Sequence, residues 1–257
     1  MWAELALEAQ ADYLAHLATA GVAEVRRDEG LLAVVTGVFS NTENGVVADE
    51  ADDATIAELL TWFEARRAPG SWIALAPEQG LAERLERAGC RPERTGVEMG
   101  ARLDALELEE PDGIEVVADE RALDDWLEVA EACSLLAEPG DRETRRRLAL
   151  SLGLGGERPV VSYLARRGGH AVGLAQAFFA SRTVSLLHVA VLEGERRGGI
   201  GRALALARLC EARRRGYETV VLAPSAEGEA LYHSLGFGTS ATPADRCFYL
   251  PLSGEGP

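Results

Sequence analysis

The sequence contains no lysine: all 26 of its basic residues are arginine. Without lysine there is no Schiff-base chemistry, and so no pyridoxal-phosphate enzyme. The lysine of a Walker-type phosphate loop is missing for the same reason. Histidines are few (His16, His170, His188 and His233), and none falls in an H-E-x-x-H or similar pattern. The four cysteines, Cys90, Cys133, Cys210 and Cys247, are far apart. They form no C-x-x-C pair and have no histidine at ligand spacing, so no metal site is expected and packing is their default role. No apolar run approaches the roughly 18 to 20 residues that span a bilayer, so no membrane partner is expected. The stretch Met1 to Ala20 carries Glu4, Glu8 and Asp12 and no base. That is the wrong charge for a secretory or transit peptide, and the expected location is cytoplasmic.

What is present is acid and apolar surface. The net charge is -16, which repels phosphate backbones and argues against a nucleic-acid partner. It favours cationic ligands only weakly, and solubility alone accounts for it. Hydrophobic residues make up 47% of 257, enough to build the core of one large or two ordinary domains.

The segment Glu107 to Gly113 is charged, ends in Pro111-Asp112-Gly113, and reads as a linker. The expected domains are therefore residues 1–107 and 112–257. In the second, Ile114 to Val117 reads as a short strand, and Leu123, Trp126, Leu127, Ala130 and Leu135 fall at helical spacing. Arg142 to Leu152 reads as another helix. Val160 to Arg166, Ala171 to Ala180 and Thr183 to Val191 read as three strands joined by hairpins at Gly168-Gly169 and Ser181-Arg182. Helix 199–215, strand 219–222, helix 228–234 and a last strand, Cys247 to Leu250, follow. The fold class is α+β, with a mixed, mostly antiparallel sheet flanked by helices.

The richest stretch runs from Leu187 to Arg202: a strand ends, a turn of Gly and Arg follows, and a helix begins. Helix starts expose unpaired backbone N–H groups and the positive end of the dipole. Gly198, Gly199 and Gly201 would let an anion approach closely, and Arg196, Arg197 and Arg202 add charge. This suits a pyrophosphate. The dinucleotide fingerprint fails, because Gly199-Ile200-Gly201 has no third glycine at the required spacing.

Arg196-Arg197-Gly198-Gly199-Ile200-Gly201 resembles the R-x-x-G-x-G loop of the Gcn5-related N-acetyltransferases (GNAT). The preceding Val189-Ala190-Val191 and the downstream Leu231-Tyr232-His233-Ser234-Leu235-Gly236-Phe237 also fit that family in order and spacing. The resemblance covers about residues 112 to 250. It implies the acyl-CoA N-acyltransferase fold and acetyl-CoA as co-substrate. Val189, Ala190 and Val191 would pair with the pantetheine arm. The backbone of Arg197 to Arg202, Ile200 included, would hold the pyrophosphate, with Arg196 beside it. Tyr232 would be the general acid that protonates the leaving thiolate, a role that suits a phenol. Many members place Asn and Ala where Ser225 and Gly228 stand; Ser225 can still donate a hydrogen bond to the cofactor arm. The general base is not visible: Glu193, Glu195, Asp124, Asp125 and Glu138 are candidates, and some members use a water chain.

The N-terminal half repeats the C-terminal ending at a constant offset of 147 (211−64, 222−75, 236−89). Glu64-Ala65-Arg66-Arg67 matches Glu211 to Arg214, Leu75-Ala76-Pro77 matches Leu222 to Pro224, and Gly89 matches Gly236. At that offset the Gly/Arg seat becomes Asp49-Glu50-Ala51-Asp52-Asp53-Ala54-Thr55, and Tyr232 becomes Leu85. The fold is therefore expected twice, with a degenerate first copy that lacks the cofactor loop. The expected function is acetyl transfer from acetyl-CoA to an amine, on a small molecule. The alternatives are a non-catalytic CoA-binding regulatory module, or acetylation of a protein or peptide amine. Monomer and homodimer both remain open.

Overall fold

The computed structural model describes residues 1–93, 98–136, 138, 140–241 and 246–252. Helix α1 (Trp2–Leu17) opens the chain, followed by strands β1 (Glu24–Asp28), β2 (Leu31–Val35) and β3 (Gly45–Ala48). Helix α2 (Asp53–Glu64), strand β4 (Gly70–Ile73), helix α3 (Leu81–Arg87) and strands β5 (Arg91–Pro92) and β6 (Glu98–Arg102) come next. Then follow β7 (Ile114–Val116), helices α4 (Glu120–Ala132) and α5 (Asp141–Leu152), and strands β8 (Val160–Arg167), β9 (His170–Phe179) and β10 (Val184–Val191). The chain continues with α6 (Ile200–Arg214), β11 (Thr219–Leu222), α7 (Glu229–Ser234), β12 (Gly238–Ser240) and β13 (Cys247–Leu250). No helix among the described residues is long and apolar enough to cross a membrane.

Two sheets share a six-strand order, to which one adds β7 at its edge. One runs β7-β8-β9-β10-β11-β6-β12, the other β1-β2-β3-β4-β13-β5. Each has one parallel pair, β10 with β11 and β3 with β4, in an otherwise antiparallel sheet. Each parallel pair is bridged by a crossover helix, α6 or α2. The offset seen in the sequence persists in space: α6 starts 147 residues after α2 (200−53), and β12 starts 147 after β5 (238−91). The fold is present twice.

The two copies exchange a strand. The compact units are Met1–Ala9 with Val97–Ser240, and Gln10–Gly96 with Ala241–Pro257. They differ from the expected division at 107 to 112. Strand β6 lies between β11 and β12 of the seven-stranded sheet, with Val220 opposite Ala101 and Thr239 opposite Met99. Strand β13 pairs instead with β4 and β5, with Phe248 opposite Trp72 and Pro92. The reason sequence reading places Cys247 to Leu250 in the wrong sheet is physical. Apolar alternation fixes which face of a strand is buried, and it carries no information about which sheet receives it.

Local chemistry explains the elements around the site. Gly168 and Gly169, at φ 58° and 83°, form the two-residue turn between β8 and β9, a conformation that strongly favours glycine. The Asp119 side chain caps α4 by accepting from the Ala122 amide at 2.8 Å. Leu123, Trp126, Leu127 and Ala130 then bury one face of α4 against Leu164 and Leu174 of the sheet. Helix α6 packs on the opposite face through Ile200, Leu204, Ala205 and Leu209. It lies close: a Cβ at Gly173 of β9 would sit 2.9 Å from Ile200 Cγ2 and 3.2 Å from the Ala190 carbonyl oxygen. Gly173 therefore permits the seating of the α6 start against the end of β10.

Candidate functional site

The seven-stranded sheet opens at its parallel pair. β10 and β11 match only at Val184–Val220 and Ser185–Val221. Beyond Ser185, β10 keeps its β9 partner, and among the described residues no strand lies along its other edge up to Val191. A bulge coincides with the opening. Leu187 pairs with Gln176, the register then shifts, and pairing resumes at Val189 with Ala175. The bulged residue, His188, has φ 33°. An extra residue bends its strand and breaks the ladder, which separates β10 from β11. Val189 stands 37% exposed on this edge, an unusual place for a strand valine.

The strand runs through Leu192 to Gly199 into α6. Gly199 is the helix N-cap at φ 83°, and no side chain caps the helix. The first backbone N–H groups of α6 therefore lack intrahelical partners and face outward. Arg197 is also left-handed, at φ 63°. A cavity of about 640 Å³ opens here, lined by Val191, Arg196, Arg197, Gly201, Arg202 and Leu231 among others. Arg196 is steadied by donating from Nε to the Val191 carbonyl at 3.2 Å, and Arg202 reaches the Ser234 hydroxyl at 3.4 Å. Open N–H groups, a helix dipole and three guanidiniums around one cavity can hold a diphosphate. Val191 thus lines one cavity with Arg196, Arg197 and Arg202, while Val189 and Ala190 lie back along the β10 edge.

The other expected residues fare differently. Tyr232 on α7 is buried against Phe237, with ring centroids 5.3 Å apart. Its hydroxyl accepts from Arg208 Nη2 at 3.2 Å. The Ser225 hydroxyl accepts from the Gly228 amide at 3.1 Å, so it serves the start of α7. Three of the five candidate bases sit in ion pairs: Asp124 with Arg146, Asp125 with Arg166 and Glu195 with Arg167. Glu193 and Glu138 are exposed. Among the described residues no group of three His, Cys, Asp or Glu could hold a metal ion. Arg208 is the residue that sequence analysis does not single out. The signal was available: an arginine on the face of α6 that otherwise buries Leu204, Ala205 and Leu209.

Residues 121–237 match the model of the acetyltransferase (GNAT) family. That segment is a GNAT domain. Solved structures agree on the fold along nearly the whole chain. A Gcn5-related N-acetyltransferase from Kribbella flavida superposes with a TM-score of 0.63 at 19% identity, covering 95% of this chain and 94% of that one. A GNAT-family protein from Novosphingobium aromaticivorans gives 0.56 at 16% identity, covering 93% and 96%. A tandem GNAT protein from the clavulanic acid biosynthesis pathway gives 0.55 at 13% identity, covering 89% and 83%. No curated protein matches the sequence.

The equivalent place in the six-stranded sheet is built differently. β3 and β4 pair at Gly45–Ser71, Val46–Trp72 and Val47–Ile73, and β2 and β3 pair without a bulge. The Trp72 indole donates to the Ala48 carbonyl at 2.9 Å. The turn into α2 has four residues, Asp49 to Asp52, against eight, Leu192 to Gly199, in the GNAT domain. Its helix start is filled by its own acid: Asp52 Oδ1 accepts from the Thr55 amide at 2.8 Å. That bond holds the Asp52 carboxyl below its usual range. Leu85, at the Tyr232 position, is fully buried.

Proposed function

We propose that the GNAT domain transfers an acetyl group from acetyl-CoA to the amine of a small molecule, and that the first copy binds no acetyl-CoA. One observation carries the reading. The unpaired edge of β10 from Leu186 to Val191 leads directly to the uncapped start of α6. An extended pantetheine arm pairs with such an edge as an added strand, through its own amides. The pyrophosphate then lies on the N–H groups of Arg197 to Arg202, with Arg196 alongside. Ser225, exposed at the start of α7, has a hydroxyl proton left to offer the cofactor arm.

The neutral amine attacks the thioester carbonyl, and the carbon–nitrogen bond forms as the carbon–sulfur bond breaks. Backbone N–H groups beside the bulge stabilise the developing oxyanion. Tyr232 gives its proton to the leaving sulfur. The phenol is suitably prepared: its oxygen already accepts from Arg208, and a guanidinium has no lone pair to take the hydroxyl proton. The nitrogen loses its extra proton to solvent and the phenolate regains one from solvent, so no carboxylate base is required.

In the first copy each of these features is reversed. The groove is closed by strand pairing, the turn is short, and carboxylates occupy the helix start where they would repel a pyrophosphate. The test is thiol release from acetyl-CoA across a panel of free amines and peptides. Turnover with free amines supports the proposal. Turnover with peptides alone moves the acceptor to protein amines, and cofactor binding without turnover on any acceptor leaves a regulatory module.

A further inference from the structure

The bulge of β10 and the hydroxyl of Tyr232 are tied together by one buried cation. Arg208 is fully buried, and among the described residues it has no carboxylate partner. Burying a guanidinium without a counter-ion is costly unless hydrogen bonds replace its water. Four of its five N–H groups are so used. Nε donates to the Leu204 carbonyl one turn back at 3.0 Å. Nη1 donates to the Gln176 carbonyl at 3.0 Å and to the Leu187 carbonyl at 3.1 Å. Nη2 donates to the Tyr232 hydroxyl oxygen at 3.2 Å.

The two carbonyls are not arbitrary. Gln176 and Leu187 are the cross-strand partners immediately before the register shift. A bulge interrupts the ladder there, and buried carbonyls need donors. One arm of the guanidinium holds both, and the other arm holds the phenol. Because the fork is planar and rigid, the Tyr232 oxygen is fixed relative to the bulge.

Resting on the acetyltransferase reading above, we infer that Arg208 is a positioning residue for acetyl transfer. It sets the acid, Tyr232, in register with the bulged strand whose N–H groups meet the oxyanion. It also leaves the phenol proton turned away from the guanidinium and free for the leaving thiolate. Lysine cannot substitute, since a single ammonium has no two-armed fork.

The test is a double-variant cycle on the full chain with Arg208→Lys, Tyr232→Phe and both together, read by melting temperature, kcat, and KM for acetyl-CoA. Loss of a general acid predicts a fall in kcat of about 100-fold for Tyr232→Phe. Arg208→Lys should lower kcat by about 10-fold or more while KM for acetyl-CoA stays within about 2-fold. In the Tyr232→Phe background, Arg208→Lys should then cost little more, because it acts through the phenol. A purely structural arginine would lower the melting temperature and multiply with Tyr232→Phe. A folded Arg208→Lys protein with wild-type kcat, or fully multiplicative losses, overturns the inference. Should Arg208→Lys not melt cooperatively, Arg208→Met replaces the cation with an apolar chain and is read the same way. Wild type that binds acetyl-CoA but releases no thiol with any amine sinks the enzyme reading and this inference with it. Wild-type turnover with multiplicative variants sinks the role of Arg208 alone.

Discussion

The exchanged strands make a prediction that cutting at the charged segment would test directly. A fragment of residues 112–257 begins just after that segment and contains every GNAT-like motif. It lacks β6 and the residues that follow it. Met99, Leu103 and Leu106 are 0%, 1% and 6% exposed in the core between the sheet and α6. Burial of a large apolar side chain contributes about 1.5 to 3 kcal/mol, so losing three removes roughly 5 to 9 kcal/mol. That is comparable with the roughly 5 to 15 kcal/mol that holds a whole domain. The fragment would also leave β11 and β12 without their shared partner. It would carry β13 with Phe248 and Leu250, buried in the full chain, exposed on an unpaired strand that invites aggregation. Residues 97–240 instead keep β6 in sequence with its sheet, at the cost of the Trp2 ring that lies over Gly100. Both fragments should be compared with the full chain by calorimetry and by the shift in melting temperature on adding acetyl-CoA. The expected result is one cooperative transition, at reduced temperature, for 97–240 and none for 112–257. A cooperative, cofactor-responsive 112–257 would refute the reasoning, because it would show that β6 is dispensable.

Acetyl-CoA at about 100 times its dissociation constant should stabilise the full chain by roughly 2.7 kcal/mol, seen as a higher melting temperature. Gly201→Glu should abolish that shift in a folded protein, since a Cβ there meets only Leu231 Cδ2 at 3.7 Å while the carboxylate enters the cavity. Gly199 is a poorer probe, because a side chain at φ +83° carries strain of about 1 to 2 kcal/mol by itself. Calorimetry should find one acetyl-CoA per chain, and two would contradict a closed first copy. Burial pushes the Cys90 thiol up to about 11, and raises the Tyr163 phenol as well. A raised folded-state value gives stability that is complete below the unfolded value and lost as pH rises through the folded one. Stability should therefore fall between about pH 9 and 11, by roughly 2 to 3 kcal/mol for Cys90. A melting temperature that is flat across that range, or alkylation of native Cys90 at pH 8, would contradict this.

Much of the candidate site was legible in the sequence because its residues are local. The turn from Leu192 to Gly199 and the start of α6 are consecutive in the chain, so glycine and arginine spacing exposes them together. The hairpins at Gly168-Gly169 and Ser181-Arg182 were legible for the same reason. What was hidden depends on non-local partners. β13 reads as an ordinary strand, β6 is not singled out by the sequence at all, and only their sheet membership reveals the exchange. Asp124, Asp125 and Glu195 read as free carboxylates until their arginines arrive from elsewhere in the fold. Arg208 sits among apolar residues, and its partners lie on β9, β10 and α7.

The two copies together show why strand order alone does not decide activity. Both have the parallel pair and the crossover helix, so both have the topological place where a ligand could enter. Entry needs two further things that the fold does not impose. The strands must separate, which takes a bulge, and the bulge in turn needs a donor for the carbonyls it disturbs. The helix start must be left uncapped, so its turn must be long and free of its own carboxylate. Acetyl transfer as proposed needs in addition a proton donor at the α7 position. The GNAT domain has the bulge at His188, with Arg208 on the Leu187 carbonyl, and the uncapped Gly199, and Tyr232 stands where the proposal puts the acid. The first copy has a continuous ladder, Asp52 and Leu85 in those places. Reopening it to a cofactor would require changing both the ladder and the helix start. A single substitution such as Asp52→Gly, which only uncaps α2, should therefore leave cofactor stoichiometry at one per chain.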